Sequence, residues 1–139
     1  WTKLKPARIT FHIEAVAPSG IASVIGAIDD PNMEVGLAIN PDTEITEIEP
    51  VANEIDYVLV MGVDPGFYGQ KLKESTISRI KSVKKNYPDL KVGGDGGANM
   101  NNASDLVETG IDELVVGSAI FASKDPKSAI KDLKAICEN

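Results

Sequence analysis

The chain has 139 residues, 42% hydrophobic and 25% charged, with a formal net charge of −7. That length and balance fit one globular domain with a sizeable core, and the acidic charge argues against nucleic acid as a partner, since phosphate backbones need a basic face. A small phosphorylated ligand is still allowed, because backbone N–H groups alone can hold one.

No apolar run is long enough to span a bilayer and no signal-peptide pattern is visible, so no membrane partner is expected. The single Cys137 cannot form an internal disulfide, which fits a reducing, cytoplasmic setting. The chain begins at Trp1, and nothing resembling a first strand precedes Arg8. It therefore reads as a fragment, a processed chain or the observed part of a longer one.

Arg8 to Glu14 alternates and is β-rich, which predicts a strand with Ile9, Phe11 and Ile13 on one face and Thr10, His12 and Glu14 on the other. Ser19 to Ile28 has helical spacing. Glu34 to Ile39 is the next strand, and Thr43 reads as the N-cap of a helix containing Ile45, Ile48, Val51 and Ala52, with a break at Pro50. Tyr57 to Val63 is almost wholly apolar, as a strand buried on both faces is. Ser75 caps a predicted helix through Ile77, Ile80, Val83 and Tyr87. A strand at Lys91, a short helix from Asn102 to Thr109 and a strand from Glu113 to Val116 follow. Asp125-Pro126 then starts a helix with Ala129, Ile130, Leu133 and Ile136 inward. Five strands, each followed by helical sequence, imply parallel pairing with right-handed crossovers.

The organising stretch is Lys91-Val92-Gly93-Gly94-Asp95-Gly96-Gly97-Ala98-Asn99. It places a carboxylate at the C-terminal tip of a strand, beside backbone that glycine leaves open to a ligand. In a parallel barrel that rim carries the chemistry. His12, Met61 and Gly117-Ser118 stand at or near the ends of other strands and are expected at the same rim.

Five collinear motifs, Phe11-His12-Ile13-Glu14-Ala15, Gly36-Leu37-Ala38-Ile39-Asn40-Pro41, Val60 through Gln70, Asp95-Gly96-Gly97 and Gly117 through Phe121, resemble the signatures of ribulose-phosphate 3-epimerases. The resemblance implies an α/β fold, a (β/α)8 TIM barrel of the ribulose-phosphate binding type, of which the chain supplies about five of eight βα units. Residues 1–139 then form a single domain, the C-terminal part of the barrel. It implies interconversion of D-ribulose 5-phosphate and D-xylulose 5-phosphate by proton transfer at C3, with a divalent metal (zinc, iron, manganese or cobalt) stabilising the charge of the ene-diolate. Position by position, Asp95 matches a residue that is both acid/base and metal ligand, and His12 a metal-binding histidine. The other histidine and the other aspartate of the family fall outside this sequence. Backbone matching Gly66, Phe67, Tyr68 and Gly69, the turn at Gly96-Gly97, and Gly117-Ser118 holds the phosphate, and Met61 packs near the ene-diolate.

The sequence departs from the family pattern at Gly62, usually threonine, at Tyr68, usually glycine, and at Gly94, usually valine. Asp64 also fits the related epimerase of allulose 6-phosphate. Two further readings are a phosphate-binding arc that is catalytically incomplete and a hexulose-phosphate synthase, the latter disfavoured by Pro65-Gly66-Phe67. The exposed edges of a partial barrel invite pairing, so a homo-oligomer is expected.

Overall fold

The apolar runs and the turns between them build one sheet. The computed structural model of the chain describes residues 1–28 and 30–138. The strands are β1 (Arg8–His12), β2 (Glu34–Ile39), β3 (Tyr57–Met61), β4 (Lys91–Asp95) and β5 (Glu113–Val115), in sequential order with every neighbouring pair parallel. The helices are α1 (Ile21–Gly26), α2 (Ser75–Asn86), α3 (Ala103–Val107), α4 (Ser118–Phe121) and α5 (Pro126–Cys137). Parallel order and alternation are those expected from sequence.

Period-2 alternation divides the two faces of the sheet. Leu37, Ile39, Val58, Val60 and Val92 are fully buried and join Ile48, Ile80, Val83 and Leu106 in one core on the helix side. The alternate positions, including Gly36, Met61, Gly93 and Asp95, line the other face. Gly36 and Gly93 are needed there: a Cβ on either would collide with Thr10 or with the Tyr57 hydroxyl.

That second face is concave. Arg8 of β1 donates from Nη1 and Nη2 to Glu113 of β5 at 2.8 and 2.9 Å, and from Nε to Glu34 at 2.8 Å. Its guanidinium carbon lies 3.6 Å from the centre of the Tyr57 ring, and Lys91 Nζ reaches Glu34 at 2.5 Å. A flat sheet would hold the first and fifth strands about 19 Å apart, four spacings of roughly 4.8 Å. The Arg8–Glu113 pair forms only because the sheet curls into an arc of a barrel. The strand starts are stitched as well: the carboxylates of Asp56 and Asp112 accept from the N–H groups of Val35 and Val92 at 2.8 and 2.7 Å.

Several boundaries differ from the expected ones. β1 stops at His12, and Ile13–Ala15 forms a 3₁₀ turn. Glu14 turns back there to accept from the Asn40 N–H at 2.8 Å and from the Thr43 hydroxyl. Thr43 is therefore occupied and caps nothing. The segment after it, Ile45–Glu54, follows Glu44 as a continuous 3₁₀ helix, with Pro50 inside it rather than a break. Proline lacks the donor and the room that an α-helix interior demands there. Ser75 is a helical residue and Glu74 holds the N-cap position of α2. β3 and β5 end at Met61 and Val115, and α1 and α3 are shorter than their periodicity predicts. α4 is too short to leave a periodic signal. Asp125 caps α5 as expected, accepting from Lys127 and Ser128 N–H groups at 3.1 Å. Only Leu133 of α5 is buried, and Ile130 is 41% exposed; α5 packs against α3 and α4.

The Arg8 cluster gives stability a pH dependence. Lys91 and Arg8 hold Glu34, and Arg8 holds Glu113, below the usual carboxylate range. Their contribution is present above the unfolded carboxylate pKa and lost as pH falls through the depressed values. Urea unfolding should show stability falling as the pH drops below the ordinary glutamate value of about 4.3. Arg8→Met should flatten that slope and cost about 2 kcal/mol at neutral pH. An unchanged slope in Arg8→Met would contradict this role.

Candidate active site

β3 and β4 end level with one another, Met61 paired with Asp95. Just beyond, Gly62 donates its N–H to the Asp95 carbonyl at 2.6 Å, and its own carbonyl accepts from the Lys73 N–H at 2.8 Å. The intervening residues 63–72 thus form a loop closed at its base. Lys73 Nζ also pairs with Asp64 at 2.5 Å. Gln70 Nε2 donates to the Asp64 and Phe67 carbonyls at 2.7 and 3.0 Å.

The turn after Asp95 takes its shape from its glycines. Gly96 and Gly97 have φ of 98° and 76°, a left-handed region that suits glycine. A Cβ on Gly97 would enter the Leu72 backbone, and one on Gly96 would meet Val63 Cγ2 at 2.5 Å. The amides of Asn99 and Asn102 each donate to the Gly97 carbonyl at 3.0 Å.

These elements enclose a cavity of about 190 Å³. Met61, Asp95, Gly96 and Gly97 line it from β3 and β4, and Gly117 and Ser118 from the end of β5. Phe67, Tyr68 and Gly69 cover it from the loop. Gly66 (φ 141°) sits in the turn of that loop away from the cavity wall. His12 also lies off the wall, with its Nδ1 3.3 Å from Glu14 Oε2. Val63, Gln70, Ala98 and Val115 line the cavity without having been singled out as site residues. Asn99 and Asn102, which fix the Gly97 carbonyl, were legible only as an Asn-rich run after the glycines.

Asp95 is half-buried. Burial pushes its carboxyl above the usual aspartate range, against the Gly96 N–H and the charge of His12, which pull it down. Among the described residues no group of three or more His, Cys, Asp or Glu side chains converges to hold a metal ion. His12 stands on β1, with β2 and β3 between it and Asp95 on β4. Two such donors fall short of the four that a tight site uses, so the residues described do not by themselves fit the metal of the resemblance.

A curved arc of parallel βα units, with an acid and glycine turns at the C-terminal rim of its strands, is part of a (β/α)8 barrel of the ribulose-phosphate binding type. The profile described as the ribulose-phosphate 3 epimerase family matches residues 1–121, and the chain belongs to that family. It is 40% identical over 131 residues to ribulose-phosphate 3-epimerase of Methanocaldococcus jannaschii, aligning 91% of this chain with 55% of that protein. It is 36% identical over 127 residues to ribulose-phosphate 3-epimerase of Bacillus subtilis, aligning 88% of this chain with 58% of that protein. The chain thus spans little more than half the length of these curated relatives. Among solved structures, 3-hexulose-6-phosphate synthase from Salmonella typhimurium superposes with a TM-score of 0.79 at 19% identity, covering 98% of this chain and 64% of that one. KGPDC from Streptococcus mutans gives 0.75 at 14%, covering 99% and 63%. At such identities these likenesses speak for the fold alone. No helix among the described residues is long and apolar enough to cross a membrane.

Carbon-detected NMR of the Asp95 carboxyl should find its midpoint above the ordinary aspartate value of about 3.9. His12→Ala removes a cation that favours the ionised form, so the midpoint should rise further. A downward move in His12→Ala would contradict the placement of that charge.

Proposed function

We propose that the protein carrying this chain is a ketose-phosphate 3-epimerase acting on D-ribulose 5-phosphate and D-xylulose 5-phosphate. The observation that carries this reading is one cavity shared by the half-buried Asp95 carboxyl and the glycine turns at Gly96-Gly97 and Gly117-Ser118. Backbone N–H groups of those turns hold the phosphate, which leaves the acidic chain free of any need for a basic patch. The sugar then runs from the cradle toward Asp95, with Met61 against its carbons.

Asp95 in its carboxylate form takes the proton from C3. The C–H electron pair becomes the C2–C3 double bond, and the C2 carbonyl oxygen receives the displaced pair, giving an ene-diolate. A proton delivered to C3 from the opposite face gives the epimer. A raised pKa suits this exchange, because a stronger base abstracts more readily. One carboxylate reaches one face of a planar intermediate, so the second acid/base comes from outside the described residues. A divalent ion (zinc, iron, manganese or cobalt) bound at Asp95 would need further donors, and His12 would offer it Nε2 while Glu14 holds its Nδ1. The reading includes a cytoplasmic setting, no nucleic-acid partner, and a homo-oligomer.

A phosphate-binding arc without turnover is the second reading, favoured by the single acid in the cavity. Exchange of the C3 hydrogen in deuterium oxide separates the two. The full-length protein should exchange it, and Asp95→Asn should lower the rate by about 10² to 10⁴ while phosphate binding stays near normal. Near-full exchange in Asp95→Asn would contradict the role of Asp95. Phosphate binding with no exchange in the unmutated protein would favour the second reading.

A further inference from the structure

The turn after Asp95 holds one peptide in a fixed orientation. The Gly97 carbonyl accepts from two side-chain amides, Asn99 Nδ2 and Asn102 Nδ2, each at 3.0 Å. Those two bonds occupy both lone pairs of the oxygen. The asparagines are themselves braced: Asn102 Oδ1 accepts from the Asn99 N–H at 2.8 Å, and Asn99 Oδ1 from the Asn101 N–H at 2.9 Å. Gly97, at φ 76°, has no side chain to resist rotation of its peptide. The orientation therefore comes from the asparagines.

A trans peptide points its N–H opposite to its C=O. With the Gly97 carbonyl turned toward the asparagines, the Ala98 N–H of the same peptide is turned away from them. Ala98 is 6% exposed and lines the cavity together with Asp95, Gly96 and Gly97. Its N–H has no hydrogen-bond partner among the described residues. A buried N–H left unpaired is costly and rare, and an anion in the cavity would satisfy it. The reverse orientation would aim carbonyl lone pairs at that anion.

We propose that Asn99 and Asn102 are positioning residues for the phosphate, holding the Gly97–Ala98 peptide so that the Ala98 N–H joins the cradle as a donor. The inference rests on the sugar-phosphate reading above. Neither asparagine needs to touch the ligand.

Titration of the full-length protein with inorganic phosphate, followed through its amide resonances, tests this without requiring turnover. In the unmutated protein the Ala98 amide proton should move downfield to saturation together with the amides of Gly117 and Ser118, as an N–H that gains a charged acceptor does. Asn99→Asp and Asn102→Asp each keep the oxygen that accepts a backbone N–H. Each replaces the N–H that holds the Gly97 carbonyl with an oxygen that repels it. Asn101→Asp adds the same charge to the same run and leaves both donors in place. The first two variants should bind phosphate about tenfold more weakly than Asn101→Asp. Their Ala98 displacement at saturation should be lost while those of Gly117 and Ser118 persist. An unmoved Ala98 resonance in the unmutated protein while the glycine turns respond would overturn the inference alone, as would equal affinity in all three variants. No saturable shift at any of these turns would overturn the phosphate reading and this inference with it.

Discussion

The site depends on one close approach of backbone to backbone. The loop after β3 and the turn after β4 touch where Gly62 donates to the Asp95 carbonyl and where Gly97 abuts the Leu72 backbone. A Cβ on Gly62 would lie 2.5 Å from the Gly96 carbonyl oxygen, and one on Gly97 would strike Leu72 outright. Neither neighbour is the yielding end of a flexible side chain. Bare backbone at these positions, together with the positive φ of Gly96 and Gly97, lets two loops from adjacent strands share one wall. Phe67 and Tyr68 are 76% and 69% exposed, and they stand over the cavity because that shared wall and the base of the loop hold them there.

The same economy of side chains shapes the scaffold. The concave face is thinned by Gly36 and Gly93, which give way to Thr10 and Tyr57, while the helix face is filled by Leu37, Ile39, Val58, Val60 and Val92. At the end remote from the cavity, Arg8 spans the concavity to Glu113. Curvature is thereby maintained by charge at one rim, and the other rim is left to ligand-facing backbone and a carboxyl. The arrangement also explains why Asp95 is perturbed upward while Glu34 and Glu113 are perturbed downward. The latter meet cations directly, whereas Asp95 meets burial first and receives its one charged neighbour from a distance.

Much of this was legible in the chain. The apolar run through Val58 and Val60 and the repeated order of strand then helix announce parallel strands, and Asp95-Gly96-Gly97 announces the rim. What sequence could not show lies in contacts made across long separations. Glu14 draws Thr43 away from a capping role, and Pro50 is absorbed by a 3₁₀ helix rather than breaking one. His12 stands at the expected rim, where Glu14 engages its ring and its charge acts on Asp95. Tyr68 reads as a departure from a pattern, and only the folded loop reveals that its ring confronts Gly117.

The central claim is that glycine backbone at the two turns, and no basic surface, holds the phosphate. Titration of the labelled chain with inorganic phosphate, followed residue by residue through amide NMR shifts, tests it most directly. The account predicts saturable shifts concentrated at Gly96, Gly97, Gly117 and Ser118. Shifts centred instead on the lysine face at Lys81, Lys84 and Lys85, or no saturable shift at the glycine turns, would contradict it.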